Sequence, residues 1–471
     1  MIRLAISCVL LSGCVHFPSY RELVSRPASA PQSVLIRDVR VFAATGPLTD
    51  EHRDVRIAGG KIAEVRATGA SPSPADLEID GRGLTLLPGF IDLHAHLTLT
   101  GAPPWYPVVP KPEHNAQAHV YAGVTTVLDV GGNPSEILAL KKKIAAGEMA
   151  GPRIYFSGWH LTVPGGYPLD MIRDVYGRLA YFALEGSHAR GVESIAELEQ
   201  QVDRIHELGG TFIKLMVATI PPSGAPRLSE EMVRAAVKRA HGHGMKVAAH
   251  IDTADDALIC ARTGVDLLAH GIEAPAVTEE QAREIAASGI HLEPTLVNYE
   301  RFDELVDGHY AGSRLERESE PPELLAAFSD EKIREQRPSL EKSSFNSWAL
   351  ELEKYRAERP RNLMKLYAAG VPVHAGDDSQ GSIAAFAGGY HDELRMQVAA
   401  GMPAAEVLLG ATSRAARFLD ERADFGTVEA GKAADLVLVR GDPLSDISAT
   451  SEIVQVFIAG IPIERHRPQA P

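Results

Sequence analysis

A chain of 471 residues, 45% of them hydrophobic, exceeds what one simple core usually holds, so it predicts a large domain with an accessory domain or appendages. The formal net charge of -15 and the lack of a basic patch exclude a phosphate-reading surface, because nucleic-acid binders concentrate Lys and Arg. Small molecules or short peptides are the partners to expect.

Met1-Ile2-Arg3 and the apolar run Leu4 to Leu11 have the charged start and short apolar stretch of an export signal. The run is too short to span a bilayer. It ends in Leu11-Ser12-Gly13-Cys14, which is similar to the lipobox of bacterial lipoproteins, where the cysteine is lipidated; the bland alternative is an ordinary apolar terminus with a chance cysteine. Residues 1–14 are thus expected as a lipoprotein-type signal and 15–33, polar with Pro and Ser, as a tether. That reading puts the protein outside the cytoplasm, lipid-anchored on the periplasmic face of a bacterial membrane. With Cys8 removed and Cys14 lipidated, Cys260 is left as a free thiol, in a helical pattern that suits a small buried residue better than a nucleophile.

Short β-type runs broken by turns fill 34–87 and return in 421–466, which predicts one small β-sandwich domain built from both chain ends. Between them, in 88–420, apolar strand-like runs alternate with amphipathic helical stretches. The runs are 90–94, 124–128, 153–156, 212–217, 246–250, 266–270, 291–296 and 371–375. Eight such units are what an α/β fold of the TIM-type (β/α)8 barrel needs, with its active site at the C-terminal strand ends. The charge-dense stretch of about 299–361 interrupts the rhythm; a solvated helical insertion is expected, and a lid is the alternative.

His94 and His96, two apart at a strand end, leave the same face and can reach one ion. Alone, such a pair is a weak signal. His250 and His270 also close strand-like runs, Asp378 follows the last run, and Lys214 lies within the fourth. So many ionisable groups ending apolar strands converge on one rim, where imidazole and carboxylate suit zinc or another divalent ion.

These residues carry a family resemblance. Leu87-Pro88-Gly89-Phe90-Ile91-Asp92-Leu93-His94-Ala95-His96 resembles the opening motif of the amidohydrolase superfamily, and the run from Gly426 to Val437 resembles its closing motif. Gly123-Val124-Thr125-Thr126-Val127, Ala269-His270-Gly271 and Pro294-Thr295-Leu296 fall between them in the family's order. The nearest likeness is to imidazolonepropionase-like proteins and metal-dependent Xaa-Pro dipeptidases, in which a lysine matching Lys214 is carboxylated and bridges two metals. The resemblance implies one ion on His94, His96, the Lys214 carbamate and Asp378, and another on the carbamate, His250 and His270. It also implies a catalytic role for Asp378. At Gly376-Asp377-Asp378-Ser379 the chain departs from the family, which usually has Thr or Ser where Asp377 stands. Alternation cannot decide between neighbours on a strand buried on both faces, so Asp377 is a second candidate for the catalytic carboxylate; an extra carboxylate there could also serve the metal site or a substrate amino group.

The activity implied is metal-assisted hydrolysis of a C–N amide bond, with Asp378 moving the proton to the leaving nitrogen. Tyr167, after Val163-Pro164-Gly165-Gly166, is a candidate hydrogen-bonding wall for substrate. A dipeptidase of Xaa-Pro type is expected, as a homo-oligomer; a cyclic amide hydrolase or deaminase is the alternative, and a non-catalytic ligand-binding lipoprotein is disfavoured by the full ligand set. Replacing the expected lipidation site, Cys14→Ser, should shift the protein from the membrane fraction to the soluble fraction on cell fractionation, whereas a cytosolic, unprocessed protein would not respond.

Overall fold

The computed structural model describes residues 15–45, 52–69, 74–174, 185–218, 226–340 and 354–468. Cys14 lies outside these, as does 341–353 of the expected insertion. Among the described residues no helix is long and apolar enough to cross a membrane.

The chain ends share one nine-stranded sheet. Its order is Val24–Ser25, Ile461–Arg465, Ile453–Ile458, Leu436–Arg440, Leu84–Pro88, Ser33–Val41, His52–Ala58 and Lys61–Ala67, with Leu77–Asp80 beside Ser33–Val41. Alternate residues of these strands fill one apolar cluster, including Val34, Ile36, Val55, Ile57, Leu436 and Leu438, as the period of two requires. Gly59 and Gly60, at φ 59° and 78°, make the two-residue hairpin turn between His52–Ala58 and Lys61–Ala67, for which left-handed backbone is needed at both positions.

Part of the stretch expected as a tether is packed. Leu23 and Val24 are fully buried, Val24 lies opposite Arg465 in antiparallel register, and the His16 ring stacks on Tyr106 at 3.8 Å. The edge strand Ile461–Arg465 offers unpaired backbone, and the two apolar residues use it.

The middle of the chain is an α/β fold with parallel strands. Phe90–Ala95, Val124–Asp129 and Arg153–Phe156 form one parallel sheet. Ala189–Gly191, His160–Thr162, Phe212–Met216, Lys246–His250, Leu267–Ala269 and His291–Glu293 form another. Helices such as Glu230–Gly242 and Ala254–Thr263 connect successive strands, and strands buried on both faces, like Phe90–Ala95, read as apolar runs for that reason. The run 371–375 is held by single bridges rather than a full ladder. Leu292 N donates to Pro372 O at 3.0 Å, His374 N to Leu292 O at 2.8 Å, and Leu93 N to Ala375 O at 3.0 Å. Pro372 has no N–H to add to the ladder. This run nonetheless touches the last strand of one parallel sheet and the first of the other, while Thr211 N, just before the inner strand Phe212–Met216, donates to Phe156 O at 3.2 Å.

The charge-rich stretch after residue 299, expected to be solvated, is packed through buried ion pairs. Arg301, 3% exposed, meets Glu304, Glu316 and Asp392 at 3.1, 3.0 and 2.8 Å. Leu305, Leu324, Phe328 and Phe386 form an apolar cluster beside it. Helical charge spacing looks the same whether the partners are water or other side chains, so the pattern could not distinguish them. Truncating the packed N-terminal segment by Leu23→Ala is expected to destabilise the protein by about 2–5 kcal/mol, read as a lower midpoint in denaturant unfolding; a free tether would give no shift.

Candidate metal centre

The strand Phe90–Ala95 ends at the centre, with His94 1% and His96 4% exposed. Asp378 reaches them from the bridging run: its Oδ1 lies 3.3 Å from His94 Nε2 and 3.0 Å from His96 Nε2. The ligand atoms of these three residues all lie within 4.8 Å of one another. His270 adds its ring 4.6 Å from that of His94, and His250 lies 4.4 Å from His270. Asp378 and His270 both have left-handed backbone, φ 54° and 83°, a conformation that surrounding structure must impose on non-glycine residues and that clusters at functional sites. Gly381 is also dictated by the site, since a Cβ there would fall 2.1 Å from Asp378 Oδ1.

Each of three imidazoles is oriented through Nδ1. His96 Nδ1 donates to Gly131 O at 2.7 Å, His94 Nδ1 lies 2.5 Å from Glu293 Oε1, and His270 Nδ1 lies 2.8 Å from Thr295 Oγ1. Their Nε2 atoms are thereby left for another partner, the arrangement that outer groups give to metal-ligating histidines. Asn298 Nδ2 donates to Asp378 Oδ2 at 2.8 Å and fixes the carboxylate. Burial holds His94, His250 and His270 well below the ordinary imidazole range; the next cause is the Lys214 cation for the first two and His250 for the third. Neutral imidazole is the form that binds a metal.

Lys214, 1% exposed, stands opposite His160 and Ala248 in the parallel ladder. Burial pulls its amine down to about 8, against the opposing pull of Glu293 and Asp378. Its Nζ, like His250 Nε2, is buried without a hydrogen-bond partner among the described residues. Orphaned nitrogens beside a shared carboxylate and neutral imidazoles fit a site for divalent ions.

The two consecutive acids part company. Asp377 accepts from Ser379 N at 2.9 Å and groups with Asp92 and His119, away from the histidines that surround Asp378. Burial, then Asp92, pushes the Asp377 carboxyl well above the usual carboxylate range. The structure therefore does not bring Asp377 to the centre as a substrate contact. Tyr167 is brought there, half-buried, with its ring 4.7 Å from that of His250. Glu293, Asn298 and His160 went unremarked in the sequence, although His160 sets its ring 5.4 Å from His96. A signal existed for Glu293, a carboxylate ending an apolar strand; none existed for Asn298, which sits in a helix.

The sequence pattern of the amidohydrolase family matches residues 85–462. An uncharacterized protein of Mycobacterium tuberculosis (strain ATCC 25618 / H37Rv) is 26% identical over 419 residues, covering 86% of this chain and 91% of its own. A solved Xaa-Pro dipeptidase with methionine bound in its active site superposes with a TM-score of 0.72 at 23% identity, over 91% of this chain and 99% of that one. A structure described as a prolidase from Bifidobacterium longum gives 0.70 at 23%, over 94% and 97%. At such identities these structures show a common fold and nothing finer.

Asp378→Asn is expected to weaken binding of a divalent cation by about 100-fold or more, since loss of even an outer partner costs 10–100-fold. Asp377→Asn, which replaces a carboxyl already pushed toward its neutral form, should leave binding unchanged. Titration of both folded variants with zinc against a competing chelator checks this, and the reverse pattern would exchange the two acids.

Proposed function

Because the chain belongs to the amidohydrolase family, a family of hydrolases acting on C–N bonds, we propose that it is a metal-dependent amidase whose substrates are dipeptides of the Xaa-Pro kind. The observation that carries the reading is the shared carboxylate of Asp378, 3.0 and 3.3 Å from two histidine Nε2 atoms, with a buried, unpartnered Lys214 beside it. In this reading the parallel strands and the 371–379 run close as a (β/α)8 barrel over 88–420. The strands of 34–87 and 421–466 form the small β-sandwich domain. Residues 1–14 are the export signal, and lipidated Cys14 tethers the enzyme to the periplasmic face of a bacterial membrane.

His94, His96, Asp378 and Lys214 would hold one ion, and Lys214, His250 and His270 a second, with Lys214 carboxylated on Nζ so that its two oxygens are shared. Divalent ions in that place, zinc among them, supply Lewis acidity to polarise the scissile carbonyl and to acidify water. The rest falls to the chain's own groups. Asp378 takes a proton from water on its carboxylate and delivers it to the leaving nitrogen, as a positioned general base and acid. Asn298 keeps the carboxylate from turning, because Oδ2 is held while Oδ1 faces the two imidazoles. Glu293 fixes the His94 ring and its tautomer. Tyr167, packed against His250, presents a hydroxyl to the substrate.

A dipeptide library assayed on metal-reconstituted protein tests the substrate class: Xaa-Pro dipeptides should be cleaved, and activity should disappear with chelator and return with zinc. Metal analysis with intact-mass measurement tests the bridge. About two equivalents of metal and a carboxylated Lys214 are expected; one equivalent with an unmodified lysine would rule out the bridged pair.

A further inference from the structure

Just beyond His250, the chain places Asp252, 1% exposed, among other buried acids. Its backbone is pinned from two sides: Asp252 N donates to Asp256 Oδ2 at 3.3 Å, and Glu273 N donates to Asp252 O at 2.8 Å. Both neighbouring acids have their own cation. Asp256 pairs with Arg227, and Glu273 with Arg359, which also meets Asp303 at 2.7 Å. Asp252 does not follow suit. Neither of its carboxyl oxygens has a hydrogen-bond partner among the described residues, and burial, then Asp256 and Glu273, pushes this carboxyl well above the usual carboxylate range, so its charged form needs an arriving cation.

The nearest candidate donor is His250 Nε2, 3.7 Å from Asp252 Oδ1, beyond hydrogen-bond range. A neutral imidazole in any case offers one N–H, which leaves the second oxygen unanswered. The same His250 packs against His270 and Tyr167, so Asp252 adjoins a residue of the metal centre. We propose that Asp252 is the subsite for the substrate's protonated amino group, making the enzyme selective for compounds with a free α-ammonium over acylated or des-amino analogues.

This deepens the amide-hydrolase reading and rests on it for the identity of the substrate. In a dipeptide the ammonium nitrogen and the scissile carbonyl carbon are separated by two bonds of about 1.5 Å each. A carbonyl placed at the metal centre therefore keeps its ammonium close by, and Asp252 adjoins that centre through His250. An ammonium brings three donors, enough for a carboxylate that has none.

The test uses metal-loaded full-length protein and two ligands that are not consumed, L-alanine and propionate, which differ by the ammonium. Calorimetric titration should show alanine binding about 10- to 100-fold more tightly, the range for a charged hydrogen bond. Asp252→Asn should erase that advantage while propionate affinity and metal content stay as in the unmodified protein. Equal affinities for the two ligands in the unmodified protein would overturn the proposal without recourse to any variant. So would an alanine advantage that survives Asp252→Asn, or loss of metal from that variant, which would make Asp252 a support for His250 instead. An alanine advantage that depends on Asp252, in a protein that cleaves no dipeptide, would keep the ammonium subsite and sink the Xaa-Pro reading.

Discussion

Ionisable groups buried at the ends of apolar strands are costly unless something answers each of them, and most of the architecture around His94 and Lys214 consists of such answers. Glu293 meets His94, Gly131 meets His96, Thr295 meets His270 and Asn298 meets Asp378. Every one of these contacts spends the atom turned away from the centre and leaves the inner atom facing it. The Nζ of Lys214 and the Nε2 of His250 are the nitrogens of the proposed ligand set that the chain leaves unanswered among the described residues. Imidazoles, a carboxylate and an amine whose outer atoms are held in this way make a candidate site for divalent ions.

The same constraint explains the helical region after the seventh apolar run. Its charges could not be left in the interior singly, so Arg301 is surrounded by three carboxylates and Arg359 by Glu273 and Asp303. Breaking such a buried pair leaves an uncompensated charge, which is why these contacts act as a set. The helix Leu296–Asp307 carries Asn298 at its start and Arg301 a turn later. Packing of the insertion and positioning of the Asp378 carboxylate are thereby carried by one element.

Backbone strain follows from the same demand for placement. His270 and Asp378 sit in left-handed conformations that cost energy for residues with a Cβ. Gly381 clears the space that any side chain would take from Asp378. Two neighbouring aspartates can face different clusters because the backbone turns between them: Asp377 toward Asp92 and His119, Asp378 toward His94 and His96.

The sequence by itself determined the alternation of apolar runs and helices, and with it the parallel α/β arrangement of the middle. It also determined which residues close those runs, because a period of two and the cost of burying charge are local facts that a reader can apply residue by residue. His94, His250 and His270 could be marked as candidates for that reason, as could Asp378 just beyond the last run, whereas Lys214 stood out as a charge inside an apolar run. Where Asp377 and Asp378 point was not legible, since both faces of a central strand are buried and alternation falls silent; only the turn of the backbone parts them into different clusters. Glu293, 199 residues from the histidine it holds, and Leu23, seated on an edge strand from the far end of the chain, were beyond reach as well. Their roles exist only once distant segments are folded together, and no local pattern encodes who the distant partner is.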